Sequence, residues 1–151
     1  MNNHAHYPSI SGKVVFITGG ASGIGRAMVK AFAAQAAKIA FIDINNEAAQ
    51  SLIASLPNAK LWFRQVDVTD SNALQQSLVD ACAELGAINV LVNNVANDRR
   101  QASEDVTVQD WDQCLQINLN PAFFASQVAM SFMKSEGAGS IINFSSINAI
   151  M

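Results

Sequence analysis

Gly19, Gly23 and Gly25 lie in Thr18-Gly19-Gly20-Ala21-Ser22-Gly23-Ile24-Gly25, directly after the apolar run Val14-Val15-Phe16-Ile17. A strand that passes through glycines into a helix start suits an anion. The turn is tight, backbone N–H groups approach without an intervening side chain, and the helix dipole favours negative charge. The spacing is G-x-x-x-G-x-G rather than the commoner dinucleotide spacing G-x-G-x-x-G, so the turn alone reads as a phosphate site of open type. Asp43 ends the next apolar run, 18 residues past Gly25. A carboxylate there can accept hydrogen bonds from the hydroxyls of an adenosine ribose. It also repels a 2′-phosphate, and Ser22 leaves the turn without a basic residue, so NAD is expected over NADP. A solvated strand-end acid is the alternative for Asp43.

Other polar residues follow apolar runs in the same way. Asp67-Val68 could accept from an adenine amino group and pack against its ring, or could open the helix that Asp70 and Ser71 begin. In Asn93-Asn94-Val95-Ala96 paired amides can tie neighbouring strand ends together, or form a turn without function. The elements that must position these residues alternate. Strands are predicted at 13–18, 38–43, 60–66, 88–93 and 140–144, each short and apolar as a strand buried on both faces should be. Helices are predicted at 24–34, 47–56 and 71–85, the last with Leu74, Leu78, Ala81 and Leu85 in one stripe and Gly86 at its end. A longer helix is predicted over 108–134, bent or interrupted by Pro121. The alternation predicts an α/β fold with a doubly wound, Rossmann-type parallel sheet, forming one domain over 1–151. Such sheets bind ligands beyond the carboxyl ends of their strands, where Gly19, Asp43, Asp67, Asn94 and Ser146 all fall.

Composition narrows the function classes. Half of the 151 residues are apolar, 14% are charged and the net charge is −3. That argues against a nucleic-acid partner, and the poor surface suits a buried sheet or an oligomer. Cys82 and Cys114 lack metal-ligand spacing, so neither a metal nor a disulfide framework is expected. No apolar run approaches the ~20 residues of a membrane helix. Residues 1–8 lack a basic n-region and an apolar h-region, so a soluble, cytoplasmic protein is expected.

The order T-G-x-x-x-G-I-G, Asp67-Val68, N-N-x-x and Ser140-Ile141-Ile142-Asn143-Phe144-Ser145-Ser146 resembles the short-chain dehydrogenase/reductase family along nearly the whole chain. The resemblance implies that Gly19, Ser22, Gly23, Ile24 and Gly25 hold the pyrophosphate and adenosine ribose of NAD, with Asp43, Asp67, Val68, Asn94 and Ala96 completing the cofactor site. It implies a catalytic group of an Asn, a Ser and a Tyr-x-x-x-Lys pair. The Asn position falls on Asn118 and the Ser position on Ser146, with Ser145 as the alternative. Oxidising an alcohol needs a base for the hydroxyl proton while hydride leaves for the nicotinamide. A tyrosine serves only if nearby cations lower its pKa. Ser146 would hold the substrate oxygen, and Asn118 would position a water for proton relay. Without the resemblance, Ser146 reads as a hydroxyl capping the next turn and Asn118 as a polar residue bending a helix.

Two departures matter. The tyrosine is expected about thirteen positions after the serine and the lysine four later, yet Tyr7 is the only tyrosine in the chain. The 151 residues are therefore expected to be the N-terminal part of an enzyme and inactive alone, leaving Ile147, Ile150 and Met151 exposed. Val95-Ala96 also stands where the family usually has Ala-Gly. The stretches Tyr7-Pro8-Ser9, Asn97-Asp98-Arg99-Arg100 and Thr107 to Trp111 are similar to bacterial sugar 1-dehydrogenases of that family. They imply a small alcohol or sugar substrate, with Asn148 as one contact, or else a solvated loop. The family alternative is a 3-oxoacyl-thioester reductase, and outside catalysis an NAD-binding module or an inactive truncated relative. The resemblance also implies a homo-oligomer, a tetramer.

Overall fold

A computed structural model describes residues 5–145. Ser146 and Asn148, like Ile147, Ile150 and Met151, lie outside them. The elements are β1 (Val14–Thr18), α1 (Gly23–Ala34), β2 (Lys38–Asp43), α2 (Asn46–Ala54), β3 (Lys60–Gln65), α3 (Ser71–Leu85), β4 (Ile88–Asn93), α4 (Val108–Asn118), α5 (Asn120–Ser135) and β5 (Ser140–Asn143). All strand pairs are parallel, in the order β3-β2-β1-β4-β5. The fold is thus the expected Rossmann-type sheet. The chain steps outward from β1 to β3 and then returns to place β4 on the other side of β1. The switch point therefore lies at the carboxyl ends of β1 and β4.

Alternate residues of the central strands feed two cores. Phe16, Ile42 and Leu91 pack with Leu74 and Leu78 of α3 and with Ala125 and Ala129 of α5. Ile17, Ile39 and Phe41 pack with Val29 of α1 and Leu52 of α2 on the opposite face. The helices that cover these faces are stopped and started by side chains. Asn45 Oδ1 accepts from Ala48 N at 2.9 Å and Asp70 Oδ1 from Ala73 N at 3.0 Å, each capping a helix start. Gly86, at φ +101°, ends α3, and Lys38 Nζ donates to the Leu85 carbonyl there at 3.0 Å.

One expectation needs correction. Burial on both faces holds for β1, β2 and β4, but β3 and β5 are largely part-exposed or exposed. They are the edges of the described sheet. Arg64 of β3 pairs with Asp80 and lies over the Trp62 ring at 5.7 Å, so that edge carries a charged cover. Of the two alternatives for 108–134, a bend or an interruption, the structure shows the interruption: two helices meet at Leu119. Pro121 sits in the first turn of α5, where its missing N–H costs nothing.

Ala36 is the one described non-glycine residue with positive φ, +58°. An L-residue in this region carries strain that glycine does not. Ala36→Gly should stabilise the protein by about 1 kcal/mol, read as a higher urea midpoint with an unchanged slope.

Candidate functional site

The glycine turn is held from both sides. On the β2 side, the N–H groups of Gly19 and Gly20 donate to the Ile42 carbonyl at 2.8 and 3.1 Å. Asp43 is buried, and its two oxygens accept from Ala21 N and Asn45 N, both at 2.9 Å. On the β4 side, Asn94 Nδ2 donates to the Thr18 and Gly19 carbonyls at 3.0 and 3.2 Å. Thr18 Oγ1 in return accepts from Asn94 N at 3.0 Å and Val95 N at 3.2 Å. Asn94 is therefore a tie between strand ends, as its amide allows.

Within the turn the glycines do different work. A Cβ on Gly25 would stand 1.9 Å from the Gly19 carbonyl oxygen, so the start of α1 rests directly on the end of β1. Gly23 has φ +49° and open space where its Cβ would be. Ser22 is the N-cap of α1 but makes no side-chain cap bond, unlike the caps of α2, α3 and α4. The first-turn N–H groups of α1 are thus left to an external acceptor, and Ile24 beside them is 61% exposed. This arrangement can hold an anion.

Asp67 Oδ1 accepts from Thr69 N and Thr69 Oγ1 at 2.9 and 2.8 Å in an exposed turn that leads into α3. Val68 is buried in the α3 core, so little of it faces the crevice. Ala96 is exposed. Asn118, the last residue of α4, is clamped to a loop 21 residues away. Its Oδ1 accepts from Asn97 N at 2.7 Å, and its Nδ2 donates to Asn97 O at 3.1 Å and Cys114 Sγ at 3.3 Å. The structure thus brings Asn118 to the loop that follows Asn94 and Ala96. Asp43 closes β2 and Asp67 lies two residues past the end of β3, where Val66 N donates to the Asp43 carbonyl at 3.1 Å.

A further cluster surrounds Asn93, of which sequence reasoning named the strand-tying amide and missed the partners. Asn93 Nδ2 donates to Asn143 Oδ1 at 2.8 Å and lies 3.3 Å from Ser126 Oγ. Its buried Oδ1 has no partner among the described residues. The position of Asn93 and Asn143 at strand ends was the available signal, while nothing local marked Ser126. These residues line a cavity of about 410 Å³ at the carboxyl ends of β1, β4 and β5, which Asn118 also borders. Among the described residues no group of acidic, His or Cys side chains could hold a metal, and no helix is long and apolar enough to cross a membrane.

A strand-to-glycine-to-helix turn at the switch point, with an acid closing the next strand, defines a dinucleotide-binding class of α/β protein. The chain belongs to the short chain dehydrogenase family, whose model matches residues 13–151. It is 42% identical over 146 residues to a probable galactose dehydrogenase of Rhizobium meliloti, covering 95% of this chain and 57% of that one. It is 39% identical over 146 residues to D-xylose 1-dehydrogenase of Caulobacter vibrioides, with the same coverage. A solved short-chain dehydrogenase/reductase of Serratia marcescens matches with a TM-score of 0.87 at 33% identity, over 95% of this chain and 58% of that one. The chain thus spans little more than half the length of these relatives.

The Gly25 contact is with backbone and cannot be relieved by a rotamer change. Gly25→Ala should lower stability by the upper part of about 1–3 kcal/mol. The same variant should lose anion affinity at the turn, seen as weaker competition by inorganic pyrophosphate against a bound dinucleotide.

Proposed function

We propose that the protein is an NAD-dependent oxidoreductase acting on an alcohol or sugar hydroxyl. The observation that carries it is the uncapped start of α1 beyond a glycine turn whose neighbour, Asp43, is fixed in place by two backbone N–H groups. Identity of about two fifths to galactose and xylose dehydrogenases supports the sugar substrate.

The residues present fit a dinucleotide. Gly23 leaves open space beside the free N–H groups of Gly23, Ile24 and Gly25, and the exposed Ser22 adds a hydroxyl. Gly19 with these residues would hold the pyrophosphate, since dipole and N–H groups both favour it. Each Asp43 oxygen keeps acceptor capacity after its backbone bond and would take a ribose hydroxyl. Asp67 would accept from the adenine amino group, with only the small exposed part of Val68 against the ring. Asn94 and Ala96 would complete the ribose side. When bound, the nicotinamide supplies the acceptor for hydride.

The chain's own catalytic contributions follow the same division. Asn118 has its side chain committed to Asn97, so a relay water would be held through its main chain. Ser146 would hydrogen-bond the substrate oxygen and Asn148 a further hydroxyl. Tyr7, ahead of β1, is the only tyrosine of the 151 residues, so they hold no Tyr-x-x-x-Lys pair. We also propose a single domain over 1–151, a tetrameric assembly and a cytoplasmic location.

The test is NAD reduction by the whole protein with aldoses, polyols and hydroxyacyl thioesters. Turnover of aldoses with NAD is expected, whereas turnover of the acyl substrates alone overturns the sugar assignment. Asp43→Ala should raise the ratio of NADP to NAD affinity by about tenfold or more, since it removes both an acceptor and a repelling charge. The ratio is the readout because losing the brace on Ala21 weakens both cofactors alike. An unchanged ratio would place the ribose contact elsewhere.

A further inference from the structure

A second cavity, of about 220 Å³, adjoins the first at Ile117 and Asn118. Asn97, Arg99 and Gln101 of the loop after β4 face Asp110, Trp111 and Gln113 of α4 across it. Its polar groups are of complementary kinds. Arg99 only donates, an ionised Asp110 only accepts, and the four amides, Asn97, Gln101, Gln113 and Asn118, do both. Asp110 Oδ2 is engaged by Thr107 N at 3.2 Å, Thr107 Oγ1 at 2.6 Å and Gln101 Nε2 at 3.4 Å. The hydrogen bonds from Thr107 are the main reason its carboxyl titrates below its ordinary value, so it is charged at neutral pH. Asp110 Oδ1 faces Arg99 Nη1 at 3.9 Å, too far for a hydrogen bond. Acceptor capacity therefore remains on one side of this gap and donor capacity on the other. Trp111, 58% exposed, adds an aromatic surface.

These facts select among ligand classes. An acyl chain or fused apolar ring would strip water from Arg99 and Asp110 and give nothing in return. A simple alcohol satisfies one of the groups. A compact ring bearing several hydroxyls offers a donor and an acceptor at each, and its C–H side suits an indole face.

We propose that this cavity is a monosaccharide subsite. Arg99 and Asp110 take neighbouring hydroxyls of the sugar, Trp111 lies against its C–H side, and its reacting carbon is directed toward Asn118. The assignment of this sugar as substrate rests on the dehydrogenase function proposed above.

Arg99→Met in the whole protein keeps the bulk of the stem and removes the donors. KM for D-galactose or D-xylose should rise about tenfold or more while kcat changes less than about threefold, the pattern of lost uniform binding. KM for cyclohexanol, with one hydroxyl, should stay within about twofold of wild type, because it does not use the donor. Gln113→Leu should act in the same direction. Equal losses on aldose and cyclohexanol indicate a scaffold role and overturn the subsite, as does no change on either. If no aldose is oxidised, the dehydrogenase function fails, and the subsite is judged by titrating the protein with D-galactose and D-xylose under tryptophan fluorescence. A saturable change that disappears in Trp111→Phe then supports the subsite, and an absent change overturns it.

Discussion

The fold turns on the close approach of Gly25 to the Gly19 carbonyl. A parallel sheet with helices on both faces returns its chain through helices, and here only four residues separate the end of β1 from the start of α1. The missing Cβ lets the helix start on top of the strand end. The bonds from Gly19 and Gly20 to Ile42, from Ala21 to Asp43 and from Asn94 to Thr18 then hold that geometry from β2 and β4 together. Because every one of these partners is at a carboxyl strand end, the parallel order β2-β1-β4 is what brings them level. Sheet topology and the geometry of the glycine turn are thus one constraint seen at two scales.

That coupling explains what was legible in the sequence. The ranges 38–43, 71–85 and 88–93 were read with the bounds the structure shows, since central strands make continuous apolar runs and Asp70 and Gly86 mark the helix ends. At β3 and β5 the same apolar content misled. Trp62, Phe63, Ile141 and Ile142 look as buried as Ile39 or Val92, because local composition does not encode which strands become edges. Pro121 was recognised as a disturbance. That it opens a second helix rather than bending the first depends on the backbone at Leu119, where φ is −117°.

The candidate site divides in the same way. Glycines and strand-end acids announce themselves by position relative to apolar runs. Side-chain pairings across the fold do not, because a hydrogen bond between Asn118 and Asn97 or between Asn93 and Asn143 has no periodic trace. Asp43 shows the intermediate case. Its place after β2 was readable, but its bracing of Ala21 and Asn45 was not, and this task makes it part of the turn's architecture in addition to the ribose contact proposed for it.

Helix α4 gives the loop after β4 its shape at both ends. At its start, the capping box pairs Thr107 with Asp110, and the same carboxylate reaches Gln101 and Arg99. At its finish, Asn118 grips the main chain of Asn97 through two bonds. The loop is therefore tethered at 97 and 101, while the side chains at 98–100 remain exposed. A surface capping box adds only modest stability by itself. Its larger consequence is geometric, since helix-start chemistry that any sequence could use here sets Asp110 opposite Arg99 at the other end of α4 from Asn118. Side chains between the tethers can change without loosening either one, which lets the contacts of this loop vary on a constant sheet.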